Sequence, residues 1–114
     1  METTDELIAR LKKQLDNIIL LLERDGNTDR WLQTMKGARQ GLEFSDLYGI
    51  EILLRSYGGM GSFNDLLIGQ KHNANGQFIG WKNESDEKND ILNLLRSDAY
   101  DVANQIKRRM ENGK

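Results

Sequence analysis

Few side chains in this sequence have the chemistry for catalysis or metal binding. His72 is the only histidine, and the chain has no cysteine. Thiolate and imidazole groups are the usual ligands of zinc and related metals, so we expect no metal site and no cofactor. No serine or threonine has the strand, G-x-S-x-G, helix context of an activated nucleophile. We interpret His72, beside Lys71 in a predicted hairpin loop, as a solvated residue, with a catalytic role as the alternative.

Paired carboxylates act as general acid and general base when burial keeps one of them protonated. Asp86 and Asp90 stand four residues apart, the spacing of neighbours on one helix face. Their surroundings are strongly polar, which favours a solvated helix start over an acid–base pair. We therefore predict that the chain is not an enzyme.

A run of glycines marks the middle of the chain, where residues 58 to 65 read G-G-M-G-S-F-N-D. Such a run can offer backbone N–H groups to a phosphate, but no basic residue follows before Lys71 and no clear strand precedes it. We favour a tight helix-to-hairpin connection over this anion cradle. Its candidate structural residues are Gly58, Gly59, Gly61, Ser62 and Asn64.

The glycine run also predicts local backbone geometry. Gly58 or Gly59 is placed to close the preceding helix, and we expect Gly59 to have positive φ. Ser62 stands three residues before Asp65, a spacing that can cap a new helical turn. The alternative is extended chain from residue 63 to residue 70.

Composition limits the class of protein. A chain of 114 residues predicts a single domain over residues 1–114. With 16 basic and 18 acidic residues the net charge is −2, so we expect no nucleic-acid partner. The first residues lack the order of a signal peptide, and no apolar run is long enough to cross a membrane. We predict a soluble cytoplasmic protein without a membrane or metal partner.

Apolar residues recur at steps of three and four in four segments, which predicts four helices. Thr4 is the expected cap of the first helix, Asn27 or Thr28 of the second and Ser45 of the third. Gly26 or Asn27 is expected to end the first helix, and Gly37 and Gly41 could admit a close neighbour. The predicted buried stripes are Ile8, Leu11, Leu15, Ile18 and Leu22; Trp31, Met35, Ala38 and Leu42; Leu47, Ile50, Leu54 and Tyr57; and Ile91, Leu95, Ala99, Val102, Ile106 and Met110.

Between the third and the last helix the pattern changes to that of strands. Asn75-Gly76 is a strong signal for a type I′ turn, so we predict a hairpin pairing residues 65–72 with 77–82. A lone hairpin is marginally stable, so one face should pack on the helices, with Ile68, Phe78 and Trp81 as anchors. The predicted fold is mainly α (α+β), about four helices in a bundle with this small hairpin between the third and the last.

What remains for function is a surface that binds a partner. Acidic residues crowd the start of the last helix, and another follows the glycine run. The candidate partner-binding residues are Asp65, Glu84, Asp86, Glu87 and Asp90. Acidic patches attract basic partners and steer their association.

Residues 53 to 68, L-x-R-S-Y-G-G-M-G-S-F-N-D-L-L-I, resemble the signature of a family of short, uncharacterised bacterial proteins. That family has a helical N-terminal half, a G-G-M-G-S-[FL]-N-D centre and a final helix. The resemblance implies this layout and no activity. In general type the chain is similar to bacterial toxin-immunity proteins, which are small, often acidic and free of catalytic motifs. This similarity implies an inhibitor that occludes the active site of a cognate toxin acting in the cytoplasm. The alternatives are a non-catalytic interaction or regulatory module and a small-molecule binding domain.

Overall fold

The described part of the chain folds into four α-helices and one two-stranded hairpin. A computed structural model of the protein describes residues 2–26, 29–44, 47–58 and 61–112. In chain order the elements are α1 (Thr4–Asp25), α2 (Asp29–Glu43), α3 (Leu47–Arg55), a 3-10 turn (Phe63–Asp65), β1 (Gln70–His72), β2 (Phe78–Trp81) and α4 (Ser85–Asn112). The predicted fold class, with its hairpin between the third and the last helix, is confirmed.

The helices pack along a molecule of 53 × 24 × 23 Å. α1 packs against α2 and α4, and α3 packs against α2 and α4. Their shared core contains the buried apolar residues Leu7, Ile8, Leu11, Leu15, Ile18, Leu22, Met35, Ala38, Leu42, Ile50, Leu53, Phe63, Ile68, Leu92, Ala99, Val102, Ala103 and Ile106. Within the described ranges, none of the helices combines the length and the apolarity that crossing a bilayer requires.

The cap of α1 is Thr3, not the predicted Thr4. The Thr3 hydroxyl accepts from the Glu6 N–H at 3.1 Å, and the Glu6 carboxylate accepts from the Thr3 N–H at 3.0 Å. Both threonines fit the composition of a cap, but Thr3 has glutamate at the third helical position and so completes a capping box. At the other end Gly26 closes the helix with φ of 80°, as predicted.

Two glycines set the crossing of α2 and α3. A Cβ added to Gly41 would lie 2.6 Å from the Gly49 Cα, whereas one added to Gly37 would meet open space. The predicted close approach therefore occurs at Gly41 alone. Its counterpart Gly49, which the sequence pattern did not single out, is buried in α3. Of the stripe predicted for α3, Ile50 is buried and Leu47, Leu54 and Tyr57 are half-buried, while the adjacent Leu53 is also buried.

Several predictions concern residues outside the described part of the chain. These are the caps proposed at Asn27, Thr28 and Ser45, and the positive φ and loop role proposed for Gly59.

The hairpin is shorter than predicted, and its turn is of another type. The strands pair antiparallel with the register Gln70 to Trp81, Lys71 to Gly80 and His72 to Phe78, with an irregularity between Lys71 and His72. Gly76 donates to the Asn73 carbonyl at 3.0 Å, and Gly76 has φ of 80°. Asn75 does not have positive φ, so the predicted type I′ turn is wrong. The Asn73 side chain replaces it by accepting from the N–H groups of Asn75 and Gln77.

The predicted packing of the hairpin on the helices is also wrong in part. Ile68 is buried, but Phe78 is 52% exposed and Trp81 is 46% exposed. Hydrogen bonds at the base of the hairpin fix it instead. The Asp25 carboxylate accepts from the Gly69 N–H at 2.6 Å, and the Asp25 carbonyl accepts from the Lys82 ammonium at 2.6 Å. Because these hydrogen bonds lie just outside the two strands, the hairpin is held at its base while Phe78 and Trp81 stay exposed to solvent.

The predicted buried stripe of α4 is wrong at its first position, where Leu92 takes the place of Ile91. Leu92 is fully buried, whereas Ile91 is 48% exposed. Ala99, Val102 and Ile106 are buried as predicted. The adjacent apolar residues 91 and 92 both fit a period of 3.6, so periodicity alone could not choose between them.

Candidate functional site

The predicted acidic residues are all exposed. Glu84, Asp86, Glu87 and Asp90 lie around the first turns of α4, with Lys88 as the one base among them. Asp65 belongs to the 3-10 turn, and its carboxylate accepts from the Gly61 N–H at 2.8 Å. Four of the five predicted residues therefore share one end of α4, while Asp65 also has a local structural role.

The exposed side of α4 carries more than these acids. The large apolar side chains of Ile91 and Leu94 face solvent, with exposed fractions of 48% and 73%. At about 100° per residue, six residues fall within an arc of about 100° and a length of about 21 Å. We call this set the acidic face of α4: Glu87, Asp90, Ile91, Leu94, Asp98 and Asp101.

Sequence reasoning missed four members of this face, although their spacing could have revealed them. Residues 87, 90, 91 and 94 follow the steps of three and four that place residues on one side of a helix. Ile91 was assigned to the core, so the exposed apolar pair was not recognised.

The neighbouring α1 moderates the charge of this face. The Arg10 guanidinium pairs with Asp98 at 3.1 Å and with Glu2 at 2.9 Å. The charge of Asp98, and to a smaller extent that of Glu2, raises the pKa of Arg10. The Gln14 side chain also donates to Asp98. The charge of Asp98 is thus partly neutralised by Arg10, whereas Glu87, Asp90 and Asp101 of the acidic face can pair with a basic partner.

Two side chains of α4 hold the chain that follows the glycine run. Asn89 accepts from the Ile68 N–H at 2.8 Å and donates to the Ile68 carbonyl at 2.9 Å. Seven residues further along α4, the Arg96 guanidinium donates to the carbonyls of Phe63 and Leu66 at 2.7 and 2.8 Å. The segment from Phe63 to Ile68 therefore lies along α4 and runs opposite to it.

The predicted loop residues have unequal roles. Gly58 has φ of 105° and Gly61 has φ of 78°, so both use backbone geometry that favours glycine. Ser62 precedes the 3-10 turn, but its hydroxyl caps nothing, which corrects the predicted capping role. Asn64 is exposed. Of the two alternatives left open by the sequence, the structure has the helical turn at Phe63–Asp65, and the side chain that bonds to its backbone is that of Asp65, not Ser62.

We call the hydrogen bonds from the Arg96 guanidinium to Phe63, Leu66 and Asn93 the Arg96 clamp. Aromatic rings surround it. Phe63 is fully buried, and the centroid of its ring lies 5.6 Å from that of Trp31 and 5.7 Å from that of Tyr57. The Tyr57 hydroxyl donates to the Arg96 carbonyl, and burial raises the pKa of that hydroxyl. Burial also lowers the pKa of Arg96, which Tyr57 and then Asp65 oppose. Arginine nevertheless stays charged at neutral pH, so this is a buried cation.

A groove of about 480 Å³ opens beside the clamp. It lies between the end of α3, the start of the glycine run and α4. Its lining residues are Leu54, Tyr57, Gly58, Asn64, Asn93, Arg96, Ser97 and Tyr100. The sequence signal for this site was a single arginine inside an apolar helical stripe, which sequence reasoning passed over.

The residues considered for catalysis are not brought together. His72 ends β1, exposed, with its ring 6.2 Å from that of Phe78. In the part of the chain that the structure describes, no three histidine, aspartate or glutamate side chains form a group able to hold a metal ion.

Comparison with known proteins adds one likeness. A domain of unknown function (DUF6966) matches residues 23–77, which are 55 of the 114 residues. The similar stretch runs from the end of α1 to the hairpin loop and stops before β2 and α4. No curated protein and no solved structure matches the chain. The acidic face of α4 and Arg96 therefore lie beyond the matched residues.

Proposed function

We propose that this protein is a bacterial immunity protein, which binds a cognate toxin in the cytoplasm through the acidic face of α4 and occludes its active site. The observation that carries the proposal is the exposure of Ile91 and Leu94 among the acids of that face. Apolar residues enclosed by charged ones are the arrangement of a protein interface, in which an apolar centre has a polar rim.

The two apolar side chains supply binding free energy. Full burial of a leucine or isoleucine side chain is worth about 1.5–3 kcal/mol. Ile91 is about half exposed and Leu94 about three quarters exposed, so a partner that covered them would gain a large part of this free energy. Such a pair can act as the centre of an interface whose other contacts exclude water.

The acids supply selectivity for a basic partner. Glu87, Asp90 and Asp101 are exposed on the same side of the helix, and Glu84 and Asp86 lie at its start. Toxins that cleave nucleic acids or act on nucleotides need basic clefts to hold their phosphates. Complementary charge accelerates association with such a cleft and fixes its orientation.

A second candidate is an interaction or regulatory module with no toxin, and the hairpin favours it. Phe78, Ile79 and Trp81 are exposed, and in the described part of the chain β2 pairs with β1 alone, which leaves the other edge of β2 open. An open edge can pair with an extended segment of another chain. In this case the hairpin, and not the acidic face, would form the interface.

Coexpression with the product of the adjacent reading frame tests the immunity proposal. We expect a stoichiometric complex that survives dilution, and relief of that product's toxicity in a growth assay. A complex without relief of toxicity would favour the interaction module. The absence of any complex would refute the immunity proposal.

Paired substitutions locate the interface. Leu94→Asp should abolish both the complex and the growth rescue, because it places a charge in the apolar centre. Leu20→Asp on α1 is the matched control, since Leu20 is 45% exposed and outside the face. If Leu94→Asp left the complex intact, the acidic face would not be the binding surface.

A further inference from the structure

We propose that the groove beside Arg96 binds a small organic anion, a carboxylate or a phosphomonoester carried on an aromatic or apolar body. This goes beyond the proposed function, because it needs no partner protein. It rests on a buried cation, on the groups that line the groove and on the size of the groove.

Arg96 is a cation whose direct partners are all uncharged. It is 7% exposed, and in the described ranges its side chain donates to two carbonyls, of Phe63 and Leu66, and to the Asn93 amide. After Tyr57, the exposed carboxylate of Asp65 also raises the pKa of Arg96, but that carboxylate accepts from the Gly61 N–H and not from the guanidinium. A buried charge is costly unless an opposite charge accompanies it. An anion in the groove would provide that charge.

The guanidinium retains donors for a ligand. Arginine has five N–H donors in a fixed fork, and three are used by the clamp. Two N–H groups remain for the oxygens of a carboxylate or phosphate, which arginine binds well in paired geometry. The clamp itself fixes the guanidinium, so little side-chain freedom is lost when a ligand binds.

The remaining lining fits the body of such a ligand. The rings of Tyr57 and Tyr100 lie 4.8 Å apart at 49° and form one wall with Leu54. Asn64 and Ser97 add polar groups at the groove. Small-molecule sites are mostly apolar with a few placed polar groups and enclose about 300–1,000 Å³. The groove, at about 480 Å³, lies inside this range.

The test is an NMR titration of the full chain with benzoate and with phenyl phosphate. Benzamide serves as the control ligand, because it has the same ring and no charge. We expect saturable shifts at the amides of Gly58, Asn64 and Ser97, and at least about tenfold weaker binding of benzamide, which corresponds to about 1.4 kcal/mol. Equal binding of benzamide and benzoate, or no saturable shift with either anion up to about 10 mM, would overturn the proposal.

A variant that fills the groove without touching the clamp keeps the test independent of folding. Ser97 is exposed on α4, and in the described residues it has no hydrogen bond to Phe63, Leu66 or Asn93, the partners of Arg96. Ser97→Trp should therefore leave the melting temperature nearly unchanged. It should lower the affinity for benzoate at least about tenfold. Gln40→Trp, at an exposed site on α2 outside the groove, is the matched control and should bind as the original chain does. Unchanged affinity in Ser97→Trp would place the anion elsewhere.

Discussion

The same substitution should have opposite effects at two glycines of α2 that are one helical turn apart. In a helix, glycine is about 1 kcal/mol less favourable than alanine. A Cβ at Gly37 would meet nothing within 4 Å, so Gly37→Ala should gain about that amount. Gly41→Ala gains the same helix propensity, but its Cβ would lie 2.6 Å from the Gly49 Cα and 2.8 Å from the Gly49 nitrogen.

The size of the loss at Gly41 follows from the atoms that it meets. Ordinary contact begins near 3.4 Å, so α2 and α3 would have to separate by about 0.8 Å. Both contacts are backbone atoms, and no side chain can rotate away. Overpacking costs about 1–3 kcal/mol, and we take the upper end for that reason. After the propensity gain, Gly41→Ala should lose about 2 kcal/mol, which leaves the two variants about 3 kcal/mol apart.

Urea unfolding followed by circular dichroism measures this difference. The slope m should stay constant while the midpoint rises for Gly37→Ala and falls for Gly41→Ala. In thermal unfolding, about 4 °C per kcal/mol is expected for a chain of this size. Gly49→Ala approaches the same contact from α3, with its Cβ 2.7 Å from the Ala38 carbonyl oxygen, and should also lose stability. If Gly41→Ala were as stable as Gly37→Ala, the proposed helix crossing would be wrong.

Three further predictions concern the loops, a buried tyrosine and the acidic patch. Gly69→Ala should destabilise more than Gly61→Ala, because both have positive φ but only the Gly69 Cβ would meet another side chain, at 2.6 Å; equal midpoints in urea would contradict this. Burial raises the pKa of Tyr57, so its contribution to stability is complete below about pH 10 and is lost as pH rises further. The stability of Tyr57→Phe should therefore fall less steeply above that pH, and parallel curves would refute the assignment. Glu84→Lys with Glu87→Lys should slow association with a basic partner far more at low salt than at high salt; stopped-flow rates check this, and a salt-independent effect would move the interface elsewhere.

The sequence predicted elements well where the pattern was local. Helical periodicity identified the four helices of the described residues, and Gly26 ended the first of them as expected. Contacts between residues far apart in the chain could not be predicted from such local patterns. Gly49 has no distinguishing local signal, because its importance comes from the Gly41 backbone across the helix crossing. Phe78 and Trp81 were predicted from their side-chain type to anchor the hairpin on the helices, whereas hydrogen bonds at the base of the hairpin fix it instead.

The candidate site shows the same division. The acids at the start of α4 were predictable, since exposed charge needs no tertiary contact to explain it. The exposure of Ile91 was not, because the choice between residues 91 and 92 depends on how α4 is rotated against α1 and α3. Arg96 could be found only with the Phe63 and Leu66 carbonyls in place, 33 and 30 residues earlier in the chain.

The two proposed surfaces can be separated on α4 itself. At about 100° per residue, Leu94 points about 100° or more away from Asn93, Arg96 and Tyr100, which line the groove. Leu94→Asp should therefore abolish binding of the partner protein and leave benzoate binding unchanged. Ser97→Trp should weaken benzoate binding but does not test the partner separately, because Ser97 also lies beside Leu94 and Asp101 of the acidic face. If Leu94→Asp weakened both, the two surfaces would form one site, and the anion would mimic an acidic group of the partner.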